Sequence, residues 1–252
     1  MEPIELAQPE SAEAKRQRIG FYLGQARELL AHYEDHLKDP RWKMVAYDKD
    51  PKITCYEFEG GPDDVEGNGY NLKAECIIEG KTADVIAAAH RQHQAIPRRT
   101  WDGDDIHDIG LLETVRSQDI SSTVRFELNV QFAEHKPGIP TVATREFVYL
   151  EASLCETSLA NHTDKKWTIL TRETQHPKRP VKADPVRALS RTIMVLTPLP
   201  SIQDVGFAVP RTAVTLVAYK VNPGGSIPLA VIKMYKTKLA DRLAFLKKTM
   251  FV

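Results

Sequence analysis

Residues 221–248, VNPGGSIPLAVIKMYKTKLADRLAFLKK, combine the end of a strand, a break in the chain and an amphipathic helix. The predicted strand 212–221 runs into Asn222-Pro223-Gly224-Gly225, where a proline and two glycines interrupt regular structure. A helix over 227–249 is predicted next, and Pro228 suits its first turn. Apolar side chains recur on one face of this helix, at Ile232, Tyr235, Leu239, Leu243 and Leu246. This predicted helix therefore needs an apolar surface to pack against.

The same helix is basic away from its apolar stripe. Asp241 is its acidic residue, and its positive residues are Lys233, Lys236, Lys238, Arg242, Lys247 and Lys248. A basic amphipathic helix can rest on an anionic membrane surface, with Lys236, Lys238 and Arg242 as the contact residues. Taken alone, the pattern favours the other interpretation, a core helix with a solvated basic face. Both interpretations stay open at this point.

The chain before this helix is mostly β. An amphipathic helix capped by Ser11 and stopped by Asp39-Pro40 comes first, and a short helix starts near residue 81. Strands are predicted at 42–47, 53–58, 70–78, 109–117, 121–132, 143–156, 166–174, 188–197 and 212–221. Such an antiparallel sheet buries one face against a core, and the terminal helices are its natural covers. The pattern predicts an α+β grip fold, a curved antiparallel sheet wrapped around a long C-terminal helix, with room for an internal apolar cavity.

Composition and charge narrow the range of possible functions and partners. The chain has 252 residues and a formal net charge of zero, so no overall field favours a nucleic-acid partner. Its three cysteines form no CxxC pair and indicate neither a disulfide framework nor a zinc site. The acidic N-terminus lacks the apolar segment of a secretory signal, and no run approaches the roughly 20 apolar residues that span a bilayer. We expect a cytoplasmic protein with a flexible tail at 1–10 and one domain at 11–252.

Few residue patterns indicate chemistry. His90 and His93 lie three residues apart at a predicted helix end, but no third metal ligand is indicated, so a solvated helix end is expected. The acidic loop 102–108 lacks the spacing of a calcium loop. No nucleophile elbow, P-loop, dinucleotide or zinc-protease motif occurs, and Cys155 lies in a predicted strand as a buried thiol. No catalytic residue, metal ion or cofactor is predicted.

Three segments occur in one order along the chain. They are Arg99-Thr100-Trp101-Asp102, the strand TREFVYL at 144–150, and NPGGSIP at 222–228. Together they resemble the START family, the steroidogenic-acute-regulatory-related lipid-transfer domains of the helix-grip superfamily. The third segment is similar to phosphatidylcholine-transfer-like members. The resemblance covers roughly residues 40–250.

The resemblance implies a deep apolar tunnel between the sheet and the C-terminal helix that holds one lipid, such as a phospholipid, or a sterol. Exposing lipid chains to water costs about 0.8 kcal/mol per methylene, so a carrier must enclose nearly the whole molecule and open at the membrane. Pro223, Gly224 and Gly225 would be the hinge of a gating helix. The residues expected to line the tunnel are Trp101, Arg145, Phe147, Tyr149, Glu151, Ile232, Tyr235 and Leu239.

One position departs from the family pattern. Many members carry a second arginine six residues after the first on the arginine–acid–aromatic strand, where this chain has Glu151. A lone buried carboxylate is costly and would be protonated or paired. Arg125, Glu127 and Asn129 on the preceding strand could supply the partner, although the apolar alternation there would also allow Arg125 and Glu127 to face water.

The main hypothesis is a non-enzymatic, monomeric lipid-transfer protein that binds a lipid or sterol and touches anionic membranes transiently. An enzyme of the same superfamily, of the cyclase or hydrolase kind and using cavity acids such as Glu151 with histidines, is the first alternative. A ligand-sensing interaction module is the second.

Overall fold

The computed structural model of the chain describes residues 11–47, 49–50, 52–58, 70–91, 106–116, 124–136, 142–157, 165–182, 184–204, 206–222, 224–225, 240–244 and 246–248. The elements are α1 (Ala12–Lys38), β1 (Trp42–Val45), β2 (Ile53–Phe58), β3 (Tyr70–Glu79), α2 (Ala83–His90), β4 (Ile106–Arg116), β5 (Val124–His135), β6 (Arg145–Thr157), β7 (Lys165–Glu173), β8 (Val186–Arg187), β9 (Leu189–Asp204) and β10 (Phe207–Asn222). Helical backbone also occurs at 240–244 and 246–248. No helix in this described part of the chain is both long and apolar enough to cross a membrane.

The strands form one curved sheet in the order β1-β2-β3-β10-β9-β7-β6-β5-β4. Its ladders are antiparallel, while the short β8 pairs parallel with the start of β6. The pairing of β3 with β10 joins the first three strands to the C-terminal strand. The segment after β10 therefore leaves from the middle of the sheet.

Helix α1 covers one face of the sheet, which we name the α1 face. It begins as the sequence predicts, because the backbone N–H of Ala14 donates to Ser11 Oγ at 3.1 Å. Tyr22, Ala26 and Leu29 are buried on the side of the helix that meets the strands. The strand residues buried beneath α1 include Leu128, Val130, Val148, Leu150, Ala152, Leu170, Ile193, Val195 and Val217.

The opposite face, which we name the α2 face, is covered by α2 and by the C-terminal helical residues. Ile86 and Ala87 of α2 and Leu243 of the C-terminal segment are fully buried there. The strand residues packed against them include Ile53, Leu72, Ala74, Cys76, Ile78, Ile169, Met194, Leu196, Val214, Leu216 and Ala218. Apolar side chains at alternate strand positions thus give the sheet two buried faces.

The predicted fold class is confirmed in its coarse form, a curved antiparallel sheet with few helices. The helix predicted at 227–249 is described only at 240–244 and 246–248, so its long form stays a prediction. Strands β9 and β10 are longer than predicted, and Pro200 and Pro210 both lie at the register shift between these two strands. The register shifts between Val209 and Arg211, where Pro210 lies, and a proline at a bulge need not donate a hydrogen bond to the ladder. The tail at 1–10 lies outside the described residues, and the single-domain boundary remains a prediction.

Candidate functional site

The α2 face is divided into an apolar part and a polar part. Its apolar part lies on β3, β10 and β9 and on the middle of β7, beneath the C-terminal helical residues. Its polar part lies on β5 and β6, where the side chains that alternate with the α1-face residues are Asn129, Gln131, Glu151 and Ser153. Each of these four is at most 1% exposed. Burial of polar groups is costly unless they have hydrogen-bonding partners, so the polar part of this face needs an explanation in terms of the partners that its side chains bind.

Glu151 is the centre of the polar part. Its side chain is 0% exposed, and Oε2 lies 3.8 Å from Nδ1 of His90, which is itself buried. Moving a carboxylate out of water costs several kcal/mol, and an imidazole beside it offsets part of this cost when it carries a proton. An acid from the sheet thus lies beside a base from α2.

The backbone register places a row of polar residues across the sheet at Glu151. Its cross-strand partners are Asn129 on β5 and Thr171 on β7. Thr114 Oγ1 donates to Asn129 Oδ1 at 2.9 Å, and the hydroxyls of Thr171 and Thr192 are 2.7 Å apart. We name these five residues, which span β4 to β9, the polar row.

Asn129 is one of the three residues that the sequence offered as a partner for Glu151, and it lies directly opposite it. Glu127 lies on the same face, accepts from Asn129 Nδ2 at 3.0 Å and has a side chain that is 45% exposed. The side chain of Arg125 lies outside the description.

The prediction of a solvated histidine pair at the end of α2 is wrong for His90, which is 4% exposed. The signal that sequence reasoning missed is its spacing. Ala83, Ile86, Ala87 and His90 recur at three and four residues, and all four are buried. His90 therefore belongs to the inner face of the helix. His93 lies outside the described residues.

Contacts with β7 hold α2 in place over the sheet. The indole Nε1 of Trp167 donates to Asp84 Oδ1 at 2.7 Å, and Lys165 Nζ donates to Asp84 Oδ2 at 3.0 Å. At the other end of α2, the guanidinium of Arg91 lies 4.5 Å from the centre of the Trp167 ring. Contacts at both ends of the helix therefore fix the position of His90 relative to the sheet.

Arg145, predicted to line a tunnel, lies at the start of β6 against the proposed hinge. Its guanidinium is buried, and it donates to the carbonyl oxygens of Ala143 at 2.6 Å and Gly224 at 3.3 Å. Six residues of strand span about 20 Å, so Arg145 and Glu151 serve different ends of the same face. The structure thus brings Arg145 to Gly224 and Gly225, and Glu151 to His90.

Gly224 and Gly225 both have positive φ, at 66° and 61°. A Cβ on Gly224 would stand 2.6 Å from the carbonyl oxygen of Arg187, whereas a Cβ on Gly225 would approach no atom closer than 3.7 Å. The Gly224 N–H donates to Asn222 Oδ1 at 2.9 Å, which closes the turn after β10. Gly224 is thus packed tightly against β8.

The two aromatic residues between Arg145 and Glu151 are half-buried. The Phe147 ring packs edge-on against His135, with ring centres 5.2 Å apart. Tyr149 packs against Ile109 and Ala133. Seven other predicted site residues lie outside the described residues, and these are Trp101, Pro223, Ile232, Tyr235, Lys236, Lys238 and Leu239.

The C-terminal helical residues are tied to the connection between β1 and β2. The hydroxyl of Tyr47 donates to Asp241 Oδ1 at 2.8 Å, and Lys49 Nζ donates to the same oxygen at 2.9 Å. Lys247 Nζ donates to Asp50 Oδ2 at 2.8 Å, and this hydrogen bond lowers the pKa of the Asp50 carboxyl. The end of the chain is therefore anchored by polar contacts as well as by Leu243 and Leu246.

Metal and thiol chemistry gain no support from the described residues. Among them, no group of three or more His, Cys, Asp or Glu side chains could hold a metal ion. Cys155 is buried, as the sequence predicts. Burial also raises the pKa of the Cys76 thiol to about 11, which makes it a poor nucleophile near neutral pH.

Comparison with solved structures shows what the fold resembles. Human STARD10 matches with a TM-score of 0.55 at 15% identity, over 98% of this chain and 82% of that chain. Human StAR-related lipid transfer protein 5 matches with a TM-score of 0.58 at 15% identity, over 91% of this chain and 96% of that chain. A STAR-related lipid transfer protein from Xanthomonas axonopodis matches with a TM-score of 0.55 at 18% identity, over 84% and 99% of the respective chains.

These TM-scores show a shared fold, and at identities of 15–18% they show the fold alone. No curated protein matches the sequence. The model of the START domain family matches residues 28–249, which is most of the chain and includes the polar row, Gly224, Gly225 and the C-terminal helical residues. Members of this family are generally lipid-transfer proteins, and this chain belongs to the START domain family.

Proposed function

We propose that the chain carries one lipid molecule between the α2 face and the segment that follows β10, without chemical change to the lipid. The observation that carries this proposal is the division of the α2 face into an apolar part and a buried polar part. An amphipathic ligand needs both, because its chains require apolar surface while its polar end requires hydrogen-bonding partners. Apolar packing alone would need only the first.

The test of this function is lipid transfer between two vesicle populations. Protein is mixed with donor vesicles that contain labelled lipid and with unlabelled acceptor vesicles, and the label reaching the acceptors is followed over time. We expect transfer proportional to protein concentration and well above the spontaneous rate. Transfer at the spontaneous rate for every lipid offered would refute the proposal.

We further propose that the segment after β10 gates the site, with Gly224 and Gly225 as its hinge. The segment is anchored at both ends. At its start, the Gly224 carbonyl accepts from Arg145 and Gly224 packs against Arg187. At its end, Asp241 accepts from Tyr47 and Lys49. Opening requires one of these anchors to yield.

Asp241→Ala is expected to accelerate lipid exchange about fivefold, because it removes the contacts that hold the end of the segment to the β1–β2 connection. The hydrogen bond from Tyr47 and the largely exposed ion pair with Lys49 together contribute about 1 kcal/mol to the closed state. Stopped-flow release of a fluorescent lipid gives the rate. Asp204→Ala, at an exposed position in β9, is the matched control and should exchange like the parent. A release rate for Asp241→Ala equal to that of the control would mean that this anchor does not limit opening.

We also propose that Lys236, Lys238 and Arg242 touch anionic membranes. Each basic group near such a surface contributes about 1 kcal/mol, so replacing all three with glutamine should weaken vesicle binding by about a hundredfold. Sedimentation with vesicles containing phosphatidylserine measures this. A second triple variant, with glutamine at the exposed Lys15, Lys178 and Lys182, controls for net charge. Equal loss of binding in both triple variants would show that net charge, and no local surface, drives the association.

A second candidate function is favoured by one observation, the contact between Glu151 and His90. A buried carboxylate against an imidazole could act as an acid–base pair, as a cyclase or hydrolase of this fold class would require. Mass spectrometry of lipids recovered after incubation with the protein distinguishes the two functions. A carrier returns each lipid at its original mass, whereas an enzyme returns a product whose appearance depends on Glu151.

A further inference from the structure

Resting on the proposed function, we infer that Glu146 is a positioning residue for the proposed gate, and that it acts through Arg187 on the turn at Gly224. Glu146 fastens the short strand β8 to β6, and β8 in turn supports the point from which the segment after β10 leaves the sheet. The inference therefore names a side chain outside the α2 face that sets how fast the proposed gate opens.

Strand β8 lies directly against the turn after β10. A Cβ on Gly224 would stand 2.6 Å from the carbonyl oxygen of Arg187 and 3.1 Å from Cγ1 of Val186. The same Val186 methyl group would lie 3.7 Å from a Cβ on Gly225. Because the Gly224 N–H also donates to Asn222 Oδ1, the turn is fixed between β10 and β8. A displacement of β8 would take away the surface on which the turn packs.

Strand β8 needs side-chain contacts to stay in place, because it has only two residues. The Val186 N–H donates to the Thr144 carbonyl oxygen at 3.1 Å, and the Ala188 N–H donates to the Glu146 carbonyl oxygen at 2.9 Å. A strand of this length forms few such ladder bonds, and each contributes modestly in net terms. Side-chain contacts therefore contribute a large share of what holds β8 against β6.

Arg187 makes a charged contact of this kind with Glu146. Its Nη2 donates to Glu146 Oε2 at 2.6 Å and to the carbonyl oxygen of Arg179 at 2.9 Å. The side chains of the ion pair are largely buried, with 12% of Arg187 and 7% of Glu146 exposed. A charged hydrogen bond in such a place is stronger than a neutral one or an exposed ion pair. Glu146 thus holds the residue whose carbonyl packs against Gly224.

Glu146 belongs to a row of three carboxylates that share one arginine. The register places Asp108 opposite Glu134, and Glu134 opposite Glu146, across β4, β5 and β6. Like charges at directly opposite positions destabilise a sheet. Arg179 offsets this repulsion, because its Nη1 donates to Glu134 Oε1 at 2.8 Å and to Glu146 Oε1 at 3.2 Å, and its Nη2 lies 3.6 Å from Asp108 Oδ2.

This arrangement separates the effect of Glu146 on β8 from its effect on the sheet. Replacing Glu146 with glutamine removes repulsion from Glu134 within the sheet, and at the same time it removes attraction to Arg179 and Arg187. The first change favours the sheet, whereas the second loosens β8. We therefore expect the variant to keep its fold while the support beneath Gly224 weakens.

Two successive residues of β6 thus hold the turn from opposite faces of the sheet. Arg145 donates to the Gly224 carbonyl oxygen at 3.3 Å, and Glu146 acts from the other face through Arg187. The even-numbered positions of β6 that follow, Val148 and Leu150, are buried beneath α1, which places Glu146 on the α1 face. The role of Glu146 therefore needs no contact with a lipid on the α2 face.

The first test is amide hydrogen exchange of the full chain, without added lipid, read by mass spectrometry. In Glu146→Gln we expect about tenfold faster exchange in peptides that contain Val186 and Ala188 and in those that contain Gly224, because local opening becomes more frequent. Peptides from β3 and β7 should exchange as in the parent protein. The matched control is Glu173→Gln, the same change at a carboxylate that is 24% exposed and accepts from Arg191. It should leave β8 and the turn unchanged.

The second test is the rate of lipid exchange. Glu146→Gln should release a fluorescent lipid about tenfold faster than the parent protein, with Glu173→Gln at the parental rate. Easier opening accelerates uptake and release alike, so the amount bound at equilibrium should change less than about twofold, whereas damage to the lipid site itself would lower it. Arg187→Gln should act in the same direction. The double variant should release no faster than the faster single variant, because both substitutions remove one contact.

These measurements separate the inference from the carrier function. Unchanged hydrogen exchange at β8 and the turn in a folded Glu146→Gln variant would overturn the inference whatever the lipid results. Faster hydrogen exchange with an unchanged release rate would overturn it too, since the turn would then loosen without opening a gate. Absence of lipid transfer by the parent protein would refute the carrier function and the gate with it, even where hydrogen exchange shows that Glu146 holds the turn.

A milder variant covers the case in which Glu146→Gln does not fold. Arg187→Lys keeps the positive charge but loses the fork of donors that reaches both Glu146 and the Arg179 carbonyl oxygen. It should accelerate hydrogen exchange at β8 and lipid release by about threefold each. Parental values for both rates would contradict the inference.

Discussion

Gly224→Ala is expected to lower the free energy of unfolding by about 2–4 kcal/mol. A residue with a side chain at φ 66° loses about 1–2 kcal/mol from backbone conformation alone. The added methyl group would also stand 2.6 Å from the carbonyl oxygen of Arg187, which is backbone and cannot rotate away. Urea unfolding followed by circular dichroism measures the loss.

Gly225→Ala is the matched control for this prediction. Its φ of 61° imposes the same conformational cost, but the added methyl group meets only ordinary contacts at 3.7 and 3.8 Å. We expect a loss of about 1–2 kcal/mol there. Equal losses at the two positions would contradict the tight packing of Gly224 against β8. A proline at position 225 would be a poor probe of the hinge, since it requires a φ near about −65°.

Leu243→Ala is expected to cost about 2–5 kcal/mol, because it deletes a fully buried side chain. Leu243 packs in the same cluster as Ile78 and Val214, so the loss would show that the C-terminal helical residues are part of the core. Leu111→Ala, at a side chain that is 46% exposed on β4, is the control and should cost less than about 1 kcal/mol.

A loss below about 1 kcal/mol for Leu243→Ala would mean that the C-terminal helix leaves the sheet readily. A large loss would favour a segment that opens near Gly224 while its last turns stay packed. The free energy of unfolding lost in Leu243→Ala, compared with that lost in Leu111→Ala, thus distinguishes two ways in which the proposed gate could move.

Local sequence signals predicted the elements of the sheet well. The apolar and polar alternation of β6 and the bounds of β2 follow from side chains that must fit a half-buried pleated surface. The Ser11 cap and the regular apolar stripe likewise predicted α1. These features depend on neighbours that are close in sequence.

Contacts between distant parts of the chain could not be predicted in this way. The hydrogen bond between Tyr47 and Asp241 joins residues 194 positions apart. The contact of His90 with Glu151 depends on how α2 lies across the sheet, which Asp84 and Trp167 help to fix. Arg145 carried a family motif, yet its position beside Gly224 depends on where β10 ends relative to β6. Strand order sets such proximities, and a single sequence does not contain that order explicitly.

The most direct test of the proposed carrier function is native mass spectrometry of the full chain purified from a eukaryotic host. We predict a species heavier than the polypeptide by the mass of one lipid, released on collisional activation and identifiable by its fragments. The stoichiometry should be one, because the proposed site lies within a single α2 face. Consistent observation of the bare polypeptide, together with spontaneous-rate transfer between vesicles, would contradict the account.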